Sequence, residues 1–214
     1  TESGFDSPGD PSALRRCPRL ARRARGVALW ADRAQEYQYA LTKYYIDHYR
    51  AMKGQPCAGY IQFMFIDLAP QSFYGLLNWE GIPKRGFDAV MESNAPVAVI
   101  LERTASQVRA VCAVNDTLRD LGPTSVEWTV TQNGVVVTSG REVITLEPDS
   151  LARVPLEPAA VPADGDVHVT LSLVGSDQQV IARNTYANPL THPVHVKGHP
   201  NRMSHEFGMR LYGG

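Results

Sequence analysis

Asp67 lies where this sequence could carry out chemistry or bind a ligand. It directly follows a nearly continuous apolar run, residues 59–66 (GYIQFMFI), and precedes a loop that contains Tyr74 and Trp79. Such a run predicts a strand that is buried on both faces, as in a parallel sheet or an α/β barrel. Barrel enzymes build their sites at the carboxyl ends of these strands. The sequence therefore predicts a binding site around Asp67.

Two interpretations stay open for each residue of this predicted site. The Asp67 carboxylate either contacts a ligand hydroxyl or hydrogen-bonds its own loop. Phe73, Tyr74 and Trp79 either stack on a ligand or pack against neighbouring elements, and we favour packing for Phe73. Glu80, beside Trp79, is the second carboxylate of this region.

Histidines near the C-terminus are a second group of candidate ligands. Neutral imidazoles bind zinc or copper, but prolines and a glycine interrupt this segment, which favours an irregular tail with solvated histidines. We predict no dedicated metal site and no cofactor, with adventitious nickel or zinc binding as the alternative. The histidines are His192, His195, His199 and His205.

Three elements position Asp67 in the first half of the chain. Residues 32–53 have apolar side chains at three- and four-residue spacing and predict a helix, with Asp32 and Gln35 as a capping box. The buried strand follows, and residues 84–93 (KRGFDAVMES) predict a short helix after Pro83. This α-β-α piece is too short to close a barrel, which needs about 200 residues or more.

From Pro96 onward the pattern changes to short alternating strands. Asn133–Gly134 between two β-branched runs is a strong hairpin signal. About seven or eight strands at this spacing predict an antiparallel β-sandwich of immunoglobulin-like architecture, with Trp128 as its core aromatic residue.

Composition excludes several classes of function. The chain has 214 residues, and 21 Lys and Arg against 22 Asp and Glu give a formal net charge of −1. This balance does not favour nucleic acid or an anionic membrane. We predict a soluble protein, because no apolar stretch is long enough to span a bilayer and the N-terminus lacks a signal-peptide pattern. The three cysteines form no CxxC pair, which argues against a disulfide framework.

Residues 35–90 resemble glycoside hydrolase family 2, in particular its β-mannosidase-like branch. The resemblance rests on QYALTKYYIDHYR and on CAGYIQFMFIDLAPQSFYGLLNWEGIPKRGFDAV. In that family a helix precedes the last barrel strand, which ends in Asp and leads through an aromatic loop to Gly-x-x-Lys. The matching positions here are Asp67, Pro70, Tyr74, Gly81 and Lys84. The second half resembles the immunoglobulin-like domain of the family, including Asn184 and Tyr186 near its last strand.

The resemblance implies a fold and a function. The fold would be the last α-β-α portion of a (β/α)8 barrel followed by an all-β immunoglobulin-like sandwich. The ranges are an irregular Arg-rich segment 1–30, the barrel portion 31–95, the sandwich 96–190 and a tail 191–214. The chain would be the C-terminal portion of a retaining β-glycosidase, with a β-linked oligosaccharide or glycoside as its ligand.

Retention requires two carboxyl groups about 5–5.5 Å apart. In this family they are glutamates on earlier barrel strands, so the resemblance implies no catalytic residue in this chain. The missing N-terminal part of the parent enzyme would be its partner. Glu206, in SHEFG, is out of order for the family's nucleophile, and we interpret it as a tail residue.

The implied sugar-binding residues are Asp67, Tyr74 and Trp79. Phe63 and Ile66 replace a tryptophan and an asparagine that usually line the pocket, so the sequence does not indicate which sugar binds. A non-catalytic carbohydrate-binding or interaction module built on the sandwich is the alternative function. An exposed line of aromatic residues would support it.

Overall fold

The computed structural model describes residues 2–3, 27–54, 57–69, 74–104 and 107–190. Within these ranges the chain is mostly antiparallel strands with two α-helices. It divides into two compact units. The first, here the helical unit, contains the described residues 2–3, 27–46, 60–69 and 74–93. The second, here the sandwich unit, contains 47–54, 57–59, 94–104 and 107–190.

Helix α1, Val27–Ala51, is longer than the sequence predicts at its N-terminus. Asp32 is exposed inside the helix, so the predicted capping box does not mark its start. The buried stripe follows the predicted spacing at first and then drifts, because 3.6 residues per turn do not match a fixed repeat. Ile46 and Asp47 are buried, whereas His48 is exposed. Residues from Asp47 onward belong to the sandwich unit.

In the helical unit, strand β1, Glu2–Ser3, pairs in parallel with strand β2, Ile61–Gln62. Parallel pairing is typical of α/β folds. Helix α2, Arg85–Ser93, follows close to its predicted start. The peptide bond between Phe63 and Met64 is cis.

The predicted buried strand over residues 59–66 differs from the structure. The ladder covers Ile61–Gln62 alone, and Ile61, Phe63 and Phe65 are 75%, 50% and 60% exposed. The physical reason is a lack of neighbouring strands: within the described ranges β1 is the one strand that pairs with this segment, and Ile66 forms only an isolated bridge with Leu77. The described residues therefore do not confirm the barrel portion of the predicted fold.

The sandwich unit contains two antiparallel sheets. One has the order β3-β4-β7 and the other the order β6-β5-β8-β9. A short 3-10 helix, Pro158–Ala160, lies between β7 and β8. The strands are β3 Val97–Arg103, β4 Val108–Asn115, β5 Gly122–Gln132, β6 Val135–Leu146, β7 Ser150–Pro155, β8 Val167–Val174 and β9 Val180–Ala187.

Side chains from both sheets form the core of this unit. Val99, Val111, Val126 and Leu171 are fully or almost fully buried in it. Trp128, the predicted core aromatic residue, is partly buried and packs against this cluster. On β8 buried and half-buried residues alternate, whereas most residues of β3 and β4 are buried on both faces. The two sheets packed around this core confirm the predicted β-sandwich.

The hairpin at Asn133–Gly134 forms as predicted, with φ angles of 51° and 79°. Positive φ at both central residues is the geometry of a type I′ turn. The two short runs VVVTS and REVITLE, predicted as separate strands, are one strand, β6. Gly140 lies inside β6 because the Trp128 ring occupies the space that a side chain would take, 2.1 Å from an ideal Cβ.

Neither α1 nor α2 meets the length and apolarity that a membrane-spanning helix requires, among the residues that the structure describes.

Candidate functional site

Asp67 lies buried at the end of the apolar segment in the helical unit, and its side chain is 2% exposed. The Lys84 ammonium donates to Oδ2 over 2.6 Å. The backbone N–H of Gly75 donates to Oδ1, also over 2.6 Å. The Asp67 carboxylate, at the end of the apolar segment, thus binds Gly75 in the following loop and Lys84, the residue before α2.

The electrostatics of Asp67 reflect its burial. Desolvation raises the pKa of the Asp67 carboxyl, while the Lys84 ammonium and the Gly75 N–H oppose that rise. Both carboxylate oxygens have a partner within the unit. The geometry therefore contains the loop-bonding interaction that the sequence left open, and a ligand contact by Asp67 stays a prediction.

Gly75 fits a position that no side chain could occupy. An ideal Cβ there would lie 2.4 Å from the Asp67 nitrogen and 2.6 Å from the Leu77 carbonyl oxygen, both backbone atoms. Next to it, the N–H groups of Leu76 and Leu77 donate to the Phe65 carbonyl oxygen over 3.0 and 2.9 Å. The loop thus returns directly along the segment that precedes Asp67.

Asn78 builds the turn that presents Trp79. Its side-chain Oδ1 accepts hydrogen bonds from the N–H groups of Glu80 and Ile82, over 2.9 and 2.8 Å. The Gly81 N–H donates to the Asn78 carbonyl oxygen, and Gly81 has a φ of 83°, which favours glycine. Asn78 itself is buried. Trp79 and Glu80 are therefore the central residues of a tightly bonded turn.

The predicted aromatic residues differ in exposure. Tyr74, adjacent to Gly75, is 46% exposed, while Trp79 is half-buried. Glu80 is exposed. Exposed aromatic rings can stack on sugar rings, and exposed carboxylates can accept hydrogen bonds from sugar hydroxyls. Phe73 and Pro70 lie outside the described residues.

Two residues that sequence reasoning missed hold this loop. Asn78 is one, and Gln38 on α1 is the other, since its Nε2 donates to the Gly75 carbonyl oxygen over 3.2 Å. A signal existed for Gln38, because it lies between Tyr37 and Leu41 on the buried stripe of the helix. Asn78 has no comparable signal, since asparagine is common in exposed turns as well.

Asn184 and Tyr186 of the sandwich unit form a buried network instead of a binding surface. The Tyr186 hydroxyl donates to Asp47 Oδ2 over 2.7 Å and accepts from the Leu101 N–H over 3.1 Å. The Asn184 amide donates to the same hydroxyl and to the Val99 carbonyl oxygen. Burial and the Asp47 carboxylate raise the pKa of Tyr186 well above its usual value. The pair on β9 therefore serves the interior of this unit.

The sandwich unit also has an open pocket of about 640 Å³. Its charged groups are paired. Lys53 lies 2.6 Å from both Asp116 and Asp149, and Arg153 lies 2.6 Å from Glu102. No aromatic residue is among the pocket's lining side chains in the described part of the chain.

Several sequence predictions fall outside the described residues. They concern residues 4–26 of the Arg-rich segment, the C-terminal histidines and Glu206. Within the described ranges, no group of three or more His, Cys, Asp or Glu residues could hold a metal ion.

No protein-family model matches the sequence, and no curated protein matches it either. Two solved structures with a similar fold are glycosidases. The exo-chitosanase CsxA of Amycolatopsis orientalis is 18% identical with a TM-score of 0.60, over 72% of this chain and 18% of that one. A β-D-mannosidase from Dictyoglomus thermophilum is 17% identical with a TM-score of 0.65, over 90% of this chain and 27% of that one.

The matched regions lie mostly in the C-terminal portions of these enzymes. The chain spans 18% to 27% of the length of these two structures. At such identities the similarity shows the fold alone, which this chain shares with part of these two glycosidase structures.

Proposed function

We propose that the chain is the C-terminal portion of a retaining β-glycosidase of the β-mannosidase type. It supplies part of the wall of a sugar pocket, and its β-sandwich, of immunoglobulin-like type, buttresses the barrel. The observation that carries the proposal is the bonded loop from Tyr74 to Lys84, which follows an apolar segment in a fold similar to two larger glycosidases.

Each residue of the proposed site has its own role. Tyr74 and Trp79 stack on the sugar, and the Asn78 turn fixes where Trp79 lies. Asp67 contributes to sugar binding mainly by holding Gly75, since Lys84 and Gly75 occupy its two oxygens. Glu80 has no assigned role in catalysis.

The partner is a polypeptide that supplies the rest of a barrel and its two catalytic glutamates. Support comes from the apolar side chains that the helical unit leaves exposed, Ile61, Phe63, Phe65 and Leu68. Monomeric proteins rarely expose a group of large apolar side chains, and such groups mark interaction sites. The parent enzyme hydrolyses the β-linked glycoside with retention, with one glutamate as acid and base and the other as nucleophile. The chain alone is then expected to show no turnover of 4-nitrophenyl β-D-mannoside.

A sugar titration tests the proposed pocket wall. Methyl β-D-mannoside is added to the ¹⁵N-labelled chain, and the indole N–H resonances of Trp79 and Trp128 are followed. We expect the Trp79 resonance to shift with a millimolar Kd, about 4 kcal/mol of binding, because a single wall encloses little of the sugar. Trp128, packed against the sandwich core, is the internal control.

The same titration distinguishes the two candidate functions. Shifts confined to sandwich residues would replace the proposal with a carbohydrate-binding module. Shifts of neither group at saturating sugar would overturn sugar binding by this chain. Against the module, Tyr186 is buried and Trp128 is partly buried, so these two rings form no exposed line.

A further inference from the structure

We propose that Gln35 and Gln38 of α1 are positioning residues for the sugar-facing loop, residues 74–84, and that together they hold both of its ends. This inference rests on the proposed function for the sugar itself. Whether these glutamines hold the loop is measured by hydrogen exchange, which does not depend on sugar.

Each contact between a glutamine of α1 and the loop is here called a grip, and the first grip is at the start of the loop. Gln38 is 1% exposed, and its Nε2 donates to the Gly75 carbonyl oxygen over 3.2 Å. The Gly75 N–H donates to Asp67 on the other side of the same residue. Gly75 is therefore held through both its donor and its acceptor. Tyr74 is its chain neighbour, so this grip determines where the tyrosine backbone lies.

The second grip is at the end of the loop. Gln35 Oε1 accepts a hydrogen bond from the N–H of Arg85, the first residue of α2, over 3.2 Å. The first N–H groups of a helix have no partner inside the helix, and a side-chain oxygen from elsewhere satisfies this one. Residues three apart lie on one face of a helix, so one face of α1 reaches both ends of the loop.

The side chain of Gln38 packs closely against Gly86. An ideal Cβ on Gly86, in the first turn of α2, would lie 2.7 Å from Gln38 Oε1 and 2.8 Å from its Cδ. A buried amide is costly unless it is hydrogen-bonded. Gln38 is a polar residue on the buried face of α1, and its bond to Gly75 explains why a polar side chain is tolerated there.

The consequence is preorganisation of the loop between the two grips. The Asn78 turn lies between them and fixes Trp79 locally. A binding loop that is ordered before the ligand arrives loses less conformational entropy on binding. The glutamine pair therefore raises sugar affinity without touching the sugar.

The test compares two variants that disturb the first grip with one matched control. Gln38→Leu removes the donor, and Gly86→Ala keeps the amide but displaces it. Lys43→Met is the control, because Lys43 is also a buried polar residue of α1, and its bond over 3.5 Å goes to Ser93 at the far end of α2. Hydrogen exchange of peptides over residues 74–84 and the Kd for methyl β-D-mannoside are measured for all three.

We expect both disturbing variants to speed exchange in residues 74–84 and to weaken sugar binding by about fivefold, the contribution of one net hydrogen bond. Lys43→Met should leave both quantities at the wild-type value. Wild-type exchange in residues 74–84 for both Gln38→Leu and Gly86→Ala would overturn the positioning role. If the wild-type chain binds no sugar, the proposed function fails, and the exchange rates alone decide whether Gln38 holds the loop.

Discussion

The two units of this chain stabilise themselves in different ways. The sandwich unit has a continuous core in which side chains from both sheets are buried. The helical unit buries apolar side chains such as Leu41 and Leu76, adds buried polar pairs such as Asp67 with Lys84, and leaves other large apolar side chains exposed. From this difference we predict that the sandwich folds around its own core and that a partner covers the exposed apolar side chains of the helical unit.

The sandwich unit also has exposed apolar residues, but charged residues interrupt the strand on which several of them lie. Several lie on β6, an edge strand, where Val135 and Val143 are exposed. Arg141 and Glu142 interrupt this edge, and the register shifts between β5 residues Val130 and Thr131. Charges and bulges on an edge strand discourage pairing with other chains. The comparison therefore predicts a partner for the helical unit and none for the β6 edge.

The largest effect should follow from breaking the buried ion pair of the helical unit. Lys84→Met leaves the Asp67 carboxylate without its cation, which costs about 3–5 kcal/mol for a buried pair. We expect peptides over residues 60–93 to exchange much faster, while peptides from β4 and β8 stay protected. Hydrogen exchange with mass spectrometry measures both.

An exposed pair of the same unit is the control for Lys84→Met. Arg85 lies 2.8 Å from Glu36, and both side chains are largely exposed, so Arg85→Met should change stability by no more than about 1 kcal/mol. Equal effects of Lys84→Met and Arg85→Met would contradict the central position that we give to the Asp67–Lys84 pair.

In the sandwich unit, Tyr186→Phe should cost about 1–3 kcal/mol, because it leaves the Leu101 N–H without its acceptor and removes a donor to Asp47. Denaturant unfolding of the sandwich, followed by circular dichroism, measures the loss. Tyr74→Phe, at an exposed tyrosine, should change stability by less than about 0.5 kcal/mol.

The pH dependence of Tyr186 adds a second signature. Its folded-state pKa is raised, so the folded protein keeps a proton that the unfolded chain loses near pH 10. Its contribution is complete below about pH 10 and decreases as the pH rises further. Tyr186→Phe should flatten the alkaline loss of stability, and an unchanged alkaline slope would count against the buried network.

A milder effect concerns the exposed apolar side chains of the helical unit. A fluorescent hydrophobic dye should bind the chain, and Ile61→Ser with Leu68→Ser should reduce its fluorescence. Leu118→Ser is the control, because Leu118 is 91% exposed and belongs to the sandwich unit. Equal losses of dye signal in both cases would remove the distinction between the units.

The smallest effect is a difference between two thiols of the sandwich unit. Burial and the Glu102 carboxylate raise the pKa of Cys112 to about 12, whereas Cys57 is half-buried. A thiolate is the reactive form, so Cys112 should stay unmodified at pH 8 while Cys57 reacts with iodoacetamide. Peptide mapping after brief labelling measures the ratio, and equal labelling would contradict the closed core around Cys112.

The strands of the sandwich could be predicted because alternation and turn residues are local signals. Asn133–Gly134 marked its hairpin, and Val97 began β3 as expected. Gly140 misled the division of β6, since the sequence does not reveal that Trp128 fills the space above it. The predicted start of α1 was wrong because residues of the capping-box type also occur inside helices.

The candidate site could be located from sequence but not assembled. The position of Asp67 after an apolar run indicated where to look, and the resemblance indicated Lys84. Their ion pair and the bond from Gln38 to Gly75 join residues that are far apart in sequence. The Asn78 turn depends on an asparagine that nothing in the sequence distinguishes from other polar residues. Only packing in three dimensions determines which polar residue is buried against which backbone group.

Photoaffinity labelling tests most directly whether this chain forms a sugar-pocket wall at Tyr74 and Trp79. A β-D-mannoside that carries a diazirine on its aglycone is irradiated with the full chain, and the labelled peptides are mapped by mass spectrometry. The account predicts label within residues 74–84 that excess methyl β-D-mannoside suppresses and that Trp79→Ala reduces about tenfold, the equivalent of 1.4 kcal/mol. Label that is confined to the sandwich, or that excess sugar does not suppress, would contradict it.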